Sequence, residues 1–156
     1  MCDGGAAGLV YVAAGDDRRV EVLTKPGAHV RTLGTTRQRG AGERQFFSPV
    51  GVAVEAGDAG LVYVADCRNE RVQVLTKTGA HGRTLGTTRQ RGAGERRLLS
   101  PVRGGVEAGD AGPVYVADCG NERAQVLTKA GGHLVSTIHN CRSRPIATSR
   151  LASRRR

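Results

Sequence analysis

Valines alternate with polar residues in Arg71-Val72-Gln73-Val74 and again in Arg19-Val20-Glu21-Val22, and a period of two is that of a half-buried strand. Ahead of the first of these, Leu61-Val62-Tyr63-Val64-Ala65 is apolar at both parities, so the pattern predicts a strand covered on both faces. Val50-Gly51-Val52-Ala53-Val54 reads as a further strand, bounded by Ser48-Pro49 before it and by the turn-forming Gly57-Asp58-Ala59-Gly60 after it. The polar stretch Asp66 to Glu70 is a turn. Thr78-Gly79 turns the chain once more, into a short outer strand from His81 to Leu85. Helical periodicity is nearly absent, and the 23 glycines suit short strands and tight turns.

The whole scheme recurs. Val-Tyr-Val-Ala appears around Tyr11, Tyr63 and Tyr115 at a spacing of about 52 residues, the mark of one repeated supersecondary unit. The segments 7–58 and 59–110 agree at roughly three quarters of positions, and a third unit starts at Ala111 and loses the pattern after Leu134. Four antiparallel strands per unit make a propeller blade. The expected fold is therefore all-β, a partial β-propeller of about three blades over 1–138, spanning roughly 7–34, 46–86 and 98–138. Such an arc stays open unless it dimerises. Unit one lacks an innermost strand before Leu9, and unit three has Arg103-Gly104-Gly105 where unit two has Gly51-Val52-Ala53, so the blade containing Val102 to Val106 is expected to be the loosest.

The net charge of +10 sits largely in residues 139–156, where Arg142, Arg144, Arg150, Arg154, Arg155 and Arg156 follow the last acid, Glu122. That tail reads as a disordered basic extension. Four cysteines show no Cys-x-x-Cys spacing, and Cys67 and Cys119 share a repeat position, so reduced thiols are expected. Neither a secretory leader pattern nor an apolar run long enough for a membrane span is seen, which makes a cytoplasmic protein without membrane contact the default expectation.

The second unit resembles the NHL repeat, whose pattern runs Pro-x-Gly-Val-Ala-Val, Val-Tyr-Val-Ala-Asp, Asn-x-Arg-Val-Gln-Val after a Gly-x-Phe. It matches through Phe46, Pro49, Gly51, Val52, Ala53, Val54, then Val62 to Asp66, then Asn69, Arg71, Val72, Gln73 and Val74. Departures are Glu70 and Glu122 in place of the family's histidine, and Ala14 in place of the strand-ending Asp. The resemblance implies a rigid disc that presents loops to proteins or RNA. It does not extend to RING or B-box zinc modules, for which the paired Cys and His residues are lacking, and a separate relative, the peptidylglycine-amidating lyase, is a zinc enzyme.

Asp66 with Arg71, and Asp118 with Arg123, are expected to fix turns through charge-assisted hydrogen bonds, a structural role. His29, His81 and His133 recur at the repeat period in an outer turn, radially too distant to converge on one ion, so no metal, cofactor or catalytic set is expected. The remaining patch is the repeated connection carrying Arg37 and Arg39, then Arg89 and Arg91. Together with Arg68 from the adjacent turn it is expected to form a basic crescent with no aromatic for base stacking. The sequence thus favours a noncatalytic scaffold or binding module for a protein partner. The alternatives are nonspecific RNA binding through the Arg loops and tail, or a fragment of a larger NHL-repeat protein without independent function. A homodimer that closes the ring, with Pro145-Ile146-Ala147-Thr148 lending an inner strand to the partner, is a further expectation.

Overall fold

The computed structural model describes residues 8–35, 37–86, 98–99, 101–108 and 112–138, with the backbone alone for 102–108 and 137–138. Arg89, Arg91 and the tail with Pro145 to Thr148 lie outside the described residues. Three antiparallel sheets follow one another along the chain. The first is three-stranded, β1 (Val10–Ala14), β2 (Arg19–Leu23) and β3 (His29–Leu33). The second has four strands in sequence order, β4 (Pro49–Val54), β5 (Leu61–Asp66), β6 (Arg71–Thr76) and β7 (His81–Leu85). The third repeats that order with β8 (Pro101–Ala108), β9 (Val114–Asp118), β10 (Arg123–Leu127) and β11 (His133–Ile138). These are propeller blades in an arc that is not closed, as the alternation pattern implies.

Each blade has two chemically distinct faces because side chains alternate along a strand. In blade 2, Val62 and Val64 of β5 and Leu75 of β6 point toward blade 1, where they meet Val20, Val22, Leu33 and Phe46. Tyr63, Ala65, Val72 and Val74 point the other way and meet Val114, Val116, Leu127 and Leu98 in the junction with blade 3. All four valines and Tyr63 are wholly buried, which explains the apolar run at both parities. The inner strand β4 lies against both β1 and β8, so the arc turns about that edge.

Phe46 comes from the connection between blades and not from a strand, yet it is wholly buried. Its ring occupies the space beside Gly34, where φ is +95° and an added Cβ would stand 2.6 Å from the ring. Only glycine satisfies both conditions there. One repeat later Leu98 packs over Gly86, where φ is +89°.

Polar contacts tie the blades as well. Arg31 Nη1 donates to the Lys77 carbonyl at 3.4 Å, and its repeat equivalent Arg83 donates to the Lys129 carbonyl at 2.7 Å. Glu55 receives hydrogen bonds from the Tyr63 hydroxyl at 2.8 Å and the Leu61 amide at 3.1 Å, and Lys129 Nζ of blade 3 stands 2.5 Å from its carboxylate. Burial would raise the Glu55 pKa, but these donors outweigh it and hold the carboxyl below its ordinary range. Burial first, then the bond to the Glu55 carboxylate, pushes Tyr63 from an ordinary value of 10.0 up to about 12.

Blade 3 departs in its inner strand. Between Pro101, opposite Asp118, and Val106, opposite Val116, the register of β8 shifts, and the extra residues include Arg103-Gly104-Gly105. In β4 the corresponding irregularity falls between Pro49 and Gly51.

Two outcomes follow from this packing. Phe46→Ala empties a buried junction and should cost about 3–5 kcal/mol in denaturant unfolding, whereas Val30→Ala, at an exposed position, should cost less than about 0.5 kcal/mol. Spectrophotometric titration should show one tyrosine ionising near pH 12, absent in Tyr63→Phe and moved toward its ordinary value in Glu55→Gln. Because the folded pKa is raised, the stability carried by the neutral phenol is complete below pH 10.0 and is lost as pH climbs through about 12.

Candidate functional site: the loop face around Phe47

One end of the arc carries the β1–β2 turn, the connection from blade 1 to blade 2, and the short 3-10 turn Cys67–Asn69 that follows β5. A buried carboxylate organises it. Asp66, with no exposed surface, accepts from the Phe47 and Ser48 amides on Oδ1 at 2.9 and 3.1 Å, and from Asn69 Nδ2 and Arg71 Nε on Oδ2 at 2.7 and 3.3 Å. Arg71 spends its remaining donors on the connection: Nη1 on the Ala41 carbonyl, Nη2 on the Gly42 and Gln45 carbonyls, at 2.6, 3.0 and 2.7 Å. Asn69 also donates to the Gly40 carbonyl, and Gln73 both donates to the Gln45 carbonyl and accepts from the Arg44 amide. A connection whose own sheet pairing is a single bridge between Arg39 and Phe46 is thereby held over residues 40–48, since buried backbone groups must find partners.

The same knot recurs in blade 3. Asp118 accepts from the Leu99 amide at 2.6 Å, from Asn121 and Arg123 at 2.8 Å each, and from Gln125 at 3.1 Å. Blade 1 has Ala14 in place of the carboxylate, and the local chemistry is rearranged: Arg19 turns to Asp17 at 3.1 Å and Glu21 at 2.5 Å, which occupy the positions of Asn69 and Gln73.

On this frame stands Phe47, half-buried, with the exposed Arg39 and Arg68 guanidiniums 4.6 and 5.3 Å from its ring centroid. Each contact is worth about 0.5–1 kcal/mol at an exposed site. The reading of a crescent without an aromatic is corrected here: Phe47 stands against Arg39 and Arg68, beside its buried neighbour Phe46. Arg37 is set apart, because its Nε lies 3.5 Å from Asp17, its amide donates to the Asp17 carbonyl at 3.0 Å, and its own carbonyl accepts from Arg18. Arg39 and Arg68 are thus brought together and Arg37 is not, while Arg89 and Arg91 lie outside the described residues.

The cluster belongs to one junction alone among those described. Blade 3 has Leu99 and Gly120 at the positions of Phe47 and Arg68, and a Cβ on Gly120 would meet the Leu99 carbonyl oxygen at 2.5 Å. In a chain built of repeats, the joint change of Phe47 to Leu99 and Arg68 to Gly120 from one blade to the next is a signal that the sequence held.

The three periodic histidines each start an outermost strand and bond within it, Nε2 lying 3.2 Å from Thr32 Oγ1 for His29, 3.2 Å from Thr84 Oγ1 for His81, and 2.8 Å from Ser136 Oγ for His133. Among the described residues, no three His, Cys, Asp or Glu side chains are grouped so as to hold a metal ion.

The Asp66 knot makes its own prediction. Asp66→Ala leaves Arg71, only 3 % exposed, without its carboxylate and should cost about 3–5 kcal/mol by urea unfolding, with a smaller loss for Asp118→Ala because Arg123 is more open to water.

No protein-family model matches the chain. The human NHL repeat-containing protein 3 is 32% identical over 117 residues, which cover 74% of this chain and 33% of that protein. This chain therefore spans about a third of the length of the curated relative it matches. Among solved structures, a streptogramin B lyase superposes with a TM-score of 0.59 at 14% identity, over 86% of this chain and 38% of the other. The virginiamycin B lyase of Staphylococcus aureus gives 0.56 at 12% identity over 84% and 38%, and U3-55K gives 0.52 at 15% over 82% and 33%. At these identities the structural likeness concerns the fold. Taken with the blade geometry and the repeat motifs, the matches place this chain among the NHL-repeat proteins, its repeats folded as β-propeller blades.

Proposed function

We propose that this chain is a noncatalytic binding module that takes an acidic segment of a protein partner on the loop face around Phe47. The observation that carries the reading is the pair of exposed guanidiniums gathered on one aromatic ring by a connection with a buried anchor. Such a platform offers an apolar contact flanked by donors for carboxylates, and aromatic and arginine side chains are those that dominate binding at protein interfaces. Its pre-ordered backbone lowers the entropy lost on binding. The net charge of +10 steers acidic partners toward the chain.

RNA is the second reading, and Phe47 is the observation that favours it, because stacking on an aromatic is how unpaired bases are held. Against it, the ring is already engaged by two guanidiniums, and Asp17 stands on the same loop face.

Fluorescence anisotropy with a labelled Glu/Asp-rich peptide and a labelled mixed-sequence single-stranded RNA separates the two. The peptide should bind, and Arg39→Ala with Arg68→Ala should weaken it about tenfold, the effect of two exposed charge contacts of about 0.5–1 kcal/mol each. Tight RNA binding that is lost in the same double variant, with no peptide binding, would overturn the protein reading.

A further inference from the structure

Several arginines of the loop face spend their donors inside the protein. Arg18 bonds to the Arg37 carbonyl, Arg19 to Glu21, Arg37 lies against Asp17, and Arg71 holds the Ala41, Gly42 and Gln45 carbonyls. Arg39 and Arg68 differ. Both are exposed, and among the described residues neither guanidinium has a hydrogen bond or an ion pair; what each meets is the ring of Phe47, at 4.6 and 5.3 Å from its centroid. A guanidinium over an aromatic ring is held through its flat face, so its N–H donors, which lie in its own plane, stay open to another partner.

The acids nearby are engaged elsewhere. Asp17 lies 3.1 Å from Arg19 and 3.5 Å from Arg37, Asp66 is enclosed in its knot, and Glu43 of the same connection stands 3.8 Å from His81 Nδ1. Two cations are therefore gathered on one ring with no carboxylate of the described residues in ion-pair reach, an arrangement that repels itself in the free protein and that one added anion relieves. One repeat later Leu99 and Gly120 replace Phe47 and Arg68, so the pairing is particular to the connection between blades 1 and 2 and is not a by-product of the repeat.

We infer that Arg39 and Arg68 form a recognition site for a phosphorylated side chain within the acidic segment of the partner, an inference that rests on the reading of this face as a site for such a segment. The choice of anion follows from charge and oxygen count. A carboxylate brings one charge and two oxygens, enough for one guanidinium, so two acidic side chains would have to be ordered to satisfy the pair. A phosphate monoester carries about 1.5 to 2 negative charges at pH 7 and three acceptor oxygens on one centre. Because both guanidiniums stand beside the same ring, one such group set at its edge accepts from both. A nucleic-acid phosphodiester carries a single charge and matches the pair less well. Phe47 gives the apolar part of the neighbouring peptide a surface to pack on, and the connection that carries it is already bonded in place, which limits the ordering that binding must impose.

Fluorescence anisotropy tests the inference, with the full chain and three labelled peptides of one Glu/Asp-rich sequence that bear phosphoserine, Glu or Ser at the centre. The phosphopeptide should bind at least about tenfold tighter than the Glu peptide at neutral pH. That advantage should shrink as pH falls through about 6, where the phosphate takes up its second proton. Arg39→Lys with Arg68→Lys keeps both charges and loses both forks, and should remove most of the advantage while the Glu peptide still binds. Equal binding of the phosphopeptide and the Glu peptide would overturn the inference and leave the acidic-segment reading standing, whereas binding of neither would remove both. A phosphate advantage that survives Arg39→Ala with Arg68→Ala, the circular dichroism spectrum being unchanged, would overturn the assignment to this pair. So would displacement of the phosphopeptide by inorganic phosphate or single-stranded RNA at the peptide's own concentration, because the site would then take phosphate without the protein segment around it.

Discussion

A carboxylate with no contact with water sets the geometry on which the rest of this chain depends. Asp66 ends the central strand of blade 2, and its two oxygens draw together the incoming connection, the turn after the strand, and the arginine that starts the next strand. Burying a charge is costly unless it is fully bonded, and here four donors meet it. The consequence reaches both inward and outward. Fixing the amides of Phe47 and Ser48 drives Phe46 into the junction with blade 1 and leaves Phe47 on the loop face, so the same four hydrogen bonds position a core residue and a surface residue one place apart.

The blades themselves are units that cannot be stable alone, because a sheet with two apolar faces needs a neighbour on each side. Blade 2 has both neighbours and carries most of the wholly buried side chains. Among the described residues blades 1 and 3 have one each; the Asp118 knot keeps the pattern of Asp66, while blade 1 substitutes the Asp17, Arg19 and Glu21 set. Function on this fold falls to what the loops carry, since strand residues are consumed by packing.

Much of the fold was legible because its physical rule is local and repeated. A period of two, interrupted by turn formers, locates the strands, and the 52-residue recurrence assigns Val62 and Val114, or Tyr11 and Tyr63, to equivalent places. The loop-face cluster was harder to read. Phe46 and Phe47 are adjacent and identical, and which one turns inward is decided by the hydrogen bonds that the Phe47 and Ser48 amides donate to Asp66, a residue many positions away. The separation of Arg37 from Arg39 was hidden for a similar reason, since Arg37 is held by Asp17 across from the β1–β2 turn. In β8 the glycines signal a weakened inner strand, and the strand pairs with β9 across a shift of register between Pro101 and Val106.

The central claim is that stability is concentrated in the doubly covered blade around the Asp66 knot and declines toward both ends of the arc. Native-state amide hydrogen exchange, resolved residue by residue, tests it most directly. The account predicts the slowest exchange in β5 and β6, intermediate exchange in β2 and β9, and the fastest in β3, β8 and β11. Slowest exchange in blade 1 or blade 3, or uniform protection across all three blades of a single-chain species, would contradict it.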